Sequence, residues 1–174
     1  LESLQESMPQ VKGFVVLTSE DCMPETSLRN AYCYESLIRE QSDQFDWPEL
    51  DENTASALCY TSGTTGNPKG VVYSHRSTVL HCYASSLPDA FALSREDVVM
   101  PIVPMFHVNG WGIVYSAPMA GAKLVMPGPK MADGATLTAL INREKITMSA
   151  GVPTVWLALL QYLETSQESI DSLK

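Results

Sequence analysis

Between Tyr60 and Gly70 the chain reads Tyr-Thr-Ser-Gly-Thr-Thr-Gly-Asn-Pro-Lys-Gly, a composition suited to holding an anion. The glycines Gly63, Gly66 and Gly70 let the backbone take positive φ and come close to a ligand. Successive backbone N–H groups in such a turn form a concave anion site. Thr61, Ser62, Thr64 and Thr65 add hydroxyl donors, Lys69 adds a full positive charge, and His75 and Arg76 follow shortly after. A hydrogen bond to a charged oxygen contributes roughly 1.5–3 kcal/mol net, so a handful can hold a triphosphate. The order is not that of the common NTPase phosphate loop, which ends in Gly-Lys-Ser/Thr and sends its hydroxyl to Mg²⁺. Here Pro68 precedes Lys69 and Gly70 follows it. The plain alternative is a surface turn of small polar residues, which the ordered string disfavours.

Short apolar strands alternating with helical stretches must carry this loop. Residues 1–50 hold a strand at Phe14–Leu17, a polar stretch, a helix around Tyr34–Gln41 and an acidic segment over 43–52 that reads as a surface connector. Beyond it, Ala57–Tyr60 reads as a short buried strand running into the loop. A helix follows with Val79, Leu80, Tyr83 and Leu87 on one face, ended by Pro88. Strands are expected at Asp97–Met100, Lys123–Met126 and Ile146–Ser149. A helix within His107–Ala120 is broken at its start by Gly110 and Gly112. Asp133 is suited to cap a helix that faces Leu137, Leu140 and Ile141 inward. Pro153 fits the first turn of a last helix, with Val152, Trp156, Leu159, Leu160 and Leu163 on one stripe. The alternation predicts an α/β fold with a mainly parallel sheet flanked by helices. In such sheets ligands bind beyond the carboxyl ends of the strands, here the loops after Tyr60, Met100 and Ser149.

The chain has 174 residues, 45% apolar and 18% charged, ordinary for a globular domain with a real core. A net charge of −9 argues against a broad nucleic-acid-binding face but leaves room for one positive loop. Cys22, Cys33, Cys59 and Cys82 form no C-x-x-C pair and lack zinc-finger spacing to histidine, which reads as four reduced thiols in a cytoplasmic protein. No stretch is apolar enough to span a bilayer. The start, Leu1-Glu2-Ser3-Leu4, lacks an initiator Met and the basic and apolar parts of a secretion signal, and fits a chain cut from something longer.

Tyr60–Gly70 resembles the signature loop of the adenylate-forming superfamily, which takes in acyl- and aryl-CoA synthetases, peptide-synthetase adenylation domains and beetle luciferases. Val72–Arg76, Pro104–Trp111 (Pro-Met-Phe-His-Val-Asn-Gly-Trp) and Gly151–Trp156 resemble later segments of the same family in the same order. The fit is best to medium- and long-chain fatty-acyl-CoA synthetases, firm over residues 55–164 and loose before. The resemblance implies part of the large N-terminal domain of such an enzyme: residues 1–50 as the end of a preceding subdomain plus the acidic connector, and 51–174 as an incomplete AMP-binding subdomain. It implies ATP, Mg²⁺ and coenzyme A as reaction partners, and a carboxylic acid activated as acyl-AMP with loss of pyrophosphate. An acid of another kind (short thioether, branched or aromatic) and a non-catalytic nucleotide-binding relative are the alternatives. Thr61, Ser62, Gly63, Thr64, Thr65, Gly66 and Lys69 would bind the ATP phosphates, with Thr64, Lys69 and His107 catalytic. His107, Val108, Trp111 and Gly151 would line the acyl pocket. For His107 the other reading is a histidine satisfied inside the core. For Trp111, a gate to the acyl tunnel and ordinary packing stand level.

The family's Mg²⁺-binding glutamate, ribose-binding aspartate and C-terminal-domain lysine are not found before Lys174, and no metal ligand is expected here. The chain is therefore expected to be an internal fragment without the C-terminal domain, catalytically inactive alone. An exposed sheet edge and apolar face would favour self-association, with a homodimer as one outcome.

Overall fold

The computed structural model describes residues 1–61 and 66–174. Two compact units divide the chain, Leu1–Glu49 and Leu50–Lys174. In the first, β1 (Phe14–Val16) pairs in parallel with β2 (Ala31–Cys33), and one short helix, α1 (Tyr34–Ile38), follows. None of its residues is buried. The helix ends before the expected Gln41, and β2 lies between the polar stretch and that helix, where no strand was expected. Its ladder is set by a partner strand rather than by its own periodicity.

In the second unit, β3 (Ala55–Thr61) and β4 (Lys69–Ser74) form an antiparallel hairpin. The sequence reading puts Lys69 and Gly70 in the loop and expects no strand after them; Lys69–Ser74 is a strand, paired antiparallel beside a main sheet that is parallel as expected. Ala57–Tyr60 is also not a buried strand: Cys59 is buried, whereas Leu58 and Tyr60 are 54% and 67% exposed. Alternate residues of a strand face opposite ways, and a two-stranded ribbon is covered on one side at most.

Ser74 ends β4 and caps α2 (His75–Ser85): its hydroxyl accepts the Ser77 N–H at 3.1 Å while Ser77 Oγ accepts the Ser74 N–H at 2.9 Å. This reciprocal capping satisfies donors that a helix start otherwise leaves free. The expected inward face of α2 is turned outward. Val79, Leu80, Tyr83 and Leu87 are exposed, and the buried residues are the small Cys82 and Ser85. The helix packs against α4 (Ile113–Met119), whose own buried residues include Ser116 and Ala117. Small side chains let two helices approach closely, and the bulky stripe is left on the other side.

The main sheet is parallel, in the order β6 (Lys123–Leu124), β5 (Val98–Ile102), β7 (Met148–Gly151). Both faces of β5 are covered, which explains its unbroken apolar run. Met100 and Ile102 join Leu137, Ile141, Ile146, Val155 and Leu159 in one core, and Val99 joins Leu93, Ile113, Ala117 and Ala122 in another. Pro101 is tolerated within this central strand because of register. Carbonyls of Asp97 and Val99 bond toward β6, those of even-numbered residues toward β7, and β6 stops opposite Val99. The missing N–H of Pro101 therefore faces the side where no strand continues.

Asp133 caps α5 (Gly134–Glu144) as expected, accepting the Thr136 N–H at 2.9 Å, and Leu137 and Ile141 are fully buried. Pro153 begins α6 (Pro153–Ser166). Its core face centres on Val155 and Leu159, and Leu160 is exposed, a rotation of the stripe read from the sequence. The four cysteines are free thiols, and no helix among the described residues is long and apolar enough to cross a membrane.

Candidate functional site

The hairpin brings the two ends of the expected phosphate loop together: Thr61, the last residue of β3, pairs with Lys69, the first of β4. Ser62, Gly63, Thr64 and Thr65 lie outside the described residues. Gly66 holds φ +130°, a conformation that side chains disfavour, and none of the described residues stands within 4 Å of where its Cβ would be. Gly66 and Lys69 are exposed, and Lys69 makes no ion pair among the described residues. A charged amine without a carboxylate partner, beside backbone open to close approach, is suited to an anionic ligand.

The segment after β5 turns sharply. Val108, Asn109, Gly110 and Trp111 form one helical turn, α3 (Val108–Trp111), with φ of 48°, 50°, 64° and 58°, and Gly112 continues it at 69°. The turn is left-handed, a hand that costs roughly 1–2 kcal/mol per non-glycine residue. The expected break at Gly110 and Gly112 is thus present, but as a left-handed turn. Gly112 is required twice over: by its φ, and because a Cβ there would lie 2.5 Å from His81 Cδ2.

This turn meets both α2 and the hairpin. The buried Cys59 of β3 donates its thiol to Asn109 Oδ1 at 2.9 Å. His81 of α2 donates from Nε2 to the Trp111 carbonyl at 3.2 Å. Tyr73, Ser77, Thr78 and His81 face Val108 and Asn109 across a cleft of about 170 Å³. The strand that enters the phosphate loop, the helix that follows it and the turn after β5 therefore converge.

His107 sits just before the turn and is exposed, so it is not a histidine satisfied inside the core. Its N–H bonds the Pro104 carbonyl at 2.9 Å and its carbonyl accepts the Gly110 N–H at 3.1 Å. Val108 is exposed at the rim of the cleft. Trp111 is half-buried and packs on the core around Val99 and Ile113. Gly151 ends β7 beside Ile102 of β5, at the carboxyl edge of the sheet, and its carbonyl accepts Trp156 Nε1 at 3.0 Å. No group of three or more His, Cys, Asp or Glu stands together as a metal site among the described residues.

Sequence reasoning did not single out His81 or Asn109. No pattern signals either: His81 lies inside a helix read for its apolar stripe, and Asn109 inside a string read as a motif. Asp97 was read only as the start of a strand. It is 8% exposed and accepts Ser94 N, Ser94 Oγ, Thr147 Oγ1 and Lys174 Nζ at 2.8–2.9 Å. The Lys174 ammonium above all holds its carboxyl well below the usual aspartate range. This cluster lies at the amino ends of the strands, away from the carboxyl edge where Gly151 stands.

A profile of the AMP-binding enzyme family matches residues 2–174, and the chain belongs to that family. It is 51% identical over 160 residues to a medium-chain-fatty-acid–CoA ligase of Ectopseudomonas oleovorans, covering 92% of this chain and 29% of the relative. To a long-chain-fatty-acid–CoA ligase of Thermus thermophilus it is 47% identical, covering 100% and 30%. A 3-methylmercaptopropionyl-CoA ligase of Ruegeria pomeroyi is 44% identical, covering 99% and 32%. The chain thus spans about a third or less of these relatives' length. Among solved structures, an anthranilate CoA ligase in complex with anthranoyl-AMP superposes with a TM-score of 0.75 at 22% identity, over 99% of this chain and 32% of that one, a likeness of fold.

Proposed function

We propose that this chain is the phosphate-binding part of an ATP-dependent acyl-CoA ligase acting on medium- or long-chain fatty acids. The observation that carries the reading is the hairpin that sets Thr61 against the exposed Lys69 around the Gly/Ser/Thr loop. The identities to named fatty-acid–CoA ligases support the substrate class. In the first step a carboxylate oxygen attacks the α-phosphorus of ATP, the bond to the β-phosphate oxygen breaks, and acyl-AMP and pyrophosphate form. In the second the sulfur of coenzyme A attacks the acyl carbonyl and AMP leaves with the electron pair of the broken C–O bond.

The chain's own contribution is electrostatic. Negative charge gathers on the departing pyrophosphate, and donors already aimed at it help most. Lys69, the hydroxyls of Thr61, Ser62, Thr64 and Thr65, and the backbone at Gly63 and Gly66 are proposed to clamp the β- and γ-phosphates. His107, Val108, Trp111 and Gly151 are proposed to border the acid. Mg²⁺ would enter with ATP and neutralise phosphate charge; the described residues of this chain supply no ligand cluster for it. In the same reading residues 1–50 close a preceding subdomain and connector, and 51–174 belong to the AMP-binding subdomain. The enzyme works in the cytoplasm, and the outward apolar stripe of α2 favours a homodimer.

A second reading, a ligase for a short thioether acid, is favoured by the Ruegeria relative. Pyrophosphate release by the full-length enzyme with Mg-ATP, coenzyme A and acids of graded length and type separates the two. Release that peaks with medium or long fatty acids and collapses in Lys69→Ala and Thr64→Ala supports the first. A peak with the thioether acid supports the second, and no release with any acid refutes both.

A further inference from the structure

Five successive residues, Val108 to Gly112, hold positive φ, and three of them are not glycine. Such a turn persists only where its surroundings over-determine it, and strain of this kind gathers at ligand clamps and active sites. Two side chains from other elements take hold of it. Cys59 reaches Asn109 from β3, and His81 reaches the Trp111 carbonyl from α2. The His81 ring also stands where a side chain on residue 112 would have to go. Burial does not account for this histidine, since it is exposed and lines the cleft together with Val108 and Asn109.

We infer that His81 is a positioning residue for the acid-binding side of the site. Through the Trp111 carbonyl it fixes the backbone from which Val108 and Trp111 project, and so governs which acids are accepted. Cys59 secures the same turn through Asn109 and ties it to the strand that enters the phosphate loop. The inference rests on the proposed reading that Val108 and Trp111 border the acid. It adds a residue that acts by holding a strained turn in one conformation. Without the His81 contact the turn can relax toward right-handed backbone, which re-aims both side chains while leaving the hairpin in place.

The test is steady-state kinetics of the full-length enzyme with a medium-chain and a long-chain fatty acid, each at saturating ATP, and with ATP varied at saturating acid. His81→Ala is expected to raise KM for the preferred acid about tenfold and shift the ratio of kcat/KM between the two acids about fivefold, with KM for ATP moved by no more than about twofold. His81→Gln keeps an N–H able to reach the Trp111 carbonyl and is expected to recover most of both. An unmoved acid KM and ratio in His81→Ala overturns the inference. So does an equal rise in acid and ATP KM in both variants, which is the mark of a merely structural role. Should His81→Ala fail to fold, Cys59→Ala against Cys59→Ser gives the same readout at the other hold, and equal behaviour of that pair with unmoved acid selectivity overturns the inference. An unmutated enzyme that releases pyrophosphate with no acid overturns the functional reading and this inference with it. Normal turnover with unmoved variants overturns this inference alone.

Discussion

Thr147 donates its hydroxyl to Asp97 Oδ1 at 2.9 Å, joining the residues that immediately precede β7 and β5. The same hydroxyl oxygen accepts the Val98 N–H at 3.0 Å, and the Thr147 N–H bonds the Val98 carbonyl at 2.9 Å. The side chain thus extends the parallel ladder one step past its backbone pairing and donates a hydrogen bond to a buried carboxylate.

Because its partners favour the charged form, Asp97 titrates below its unfolded value. It therefore adds stability that is complete above the ordinary aspartate pKa of about 4 and is lost as pH falls below it. Thermal unfolding followed from neutral pH to about pH 3 should show Tm falling, and Asp97→Asn should flatten that slope. At neutral pH the same substitution should cost about 1–3 kcal/mol, since it removes hydrogen bonds to a charged group. An unchanged slope in the variant would assign the acid sensitivity to other carboxylates.

Gly112→Ala should destabilise by about 2–3 kcal/mol, combining an unfavourable φ with a clash against the His81 ring. Urea denaturation measures it. In a His81→Ala background the clash is gone and only the φ cost of about 1 kcal/mol should remain, so the two substitutions should be strongly non-additive.

Thr138 is fully buried in α5, and its hydroxyl is the one buried side-chain polar atom among the described residues that finds no partner. Thr138→Val keeps the shape and removes the unsatisfied group, so it should be neutral or stabilising by about 1 kcal/mol. Its neighbour Gly134 should behave oppositely. A Cβ there would fall 2.5 Å from Tyr162 Cβ on α6, and Gly134→Ala should cost about 1–3 kcal/mol by forcing the two helices apart. Denaturant midpoints of the two variants should move in opposite directions or, at the least, differ by that amount.

Lys69→Ala in the full-length enzyme should lower kcat/KM for ATP by about a hundredfold, the usual loss when one preorganised donor to developing negative charge is removed. Lys69→Arg keeps the charge but not the compact ammonium geometry, and should recover only part. Stability should not change measurably, because Lys69 is exposed and unpaired among the described residues. A variant that retains full pyrophosphate release would remove Lys69 from the phosphate site.

Whatever is written in local order was legible from the residues alone. The Asp133 cap, the first-turn Pro153, the buried Leu137 and Ile141, the apolar strands flanked by helices and the Gly/Ser/Thr string with its family resemblance are all short-range patterns, and periodicity or capping chemistry reads them directly. Tertiary structure decided what covers each apolar stripe and what each polar group meets. The bulky face of α2 looks inward by periodicity but is exposed, because small residues on the other face pack against α4. Lys69–Ser74 became a strand because β3 was there to pair with it. His81 acquired its contact only when a left-handed turn thirty residues later placed the Trp111 carbonyl before it. Asp97 acquired Thr147 and Lys174 in the same way. Hydrogen bonds and close approaches between distant segments depend on where the backbone returns, and residue type fixes that a group needs a partner without fixing which partner it finds.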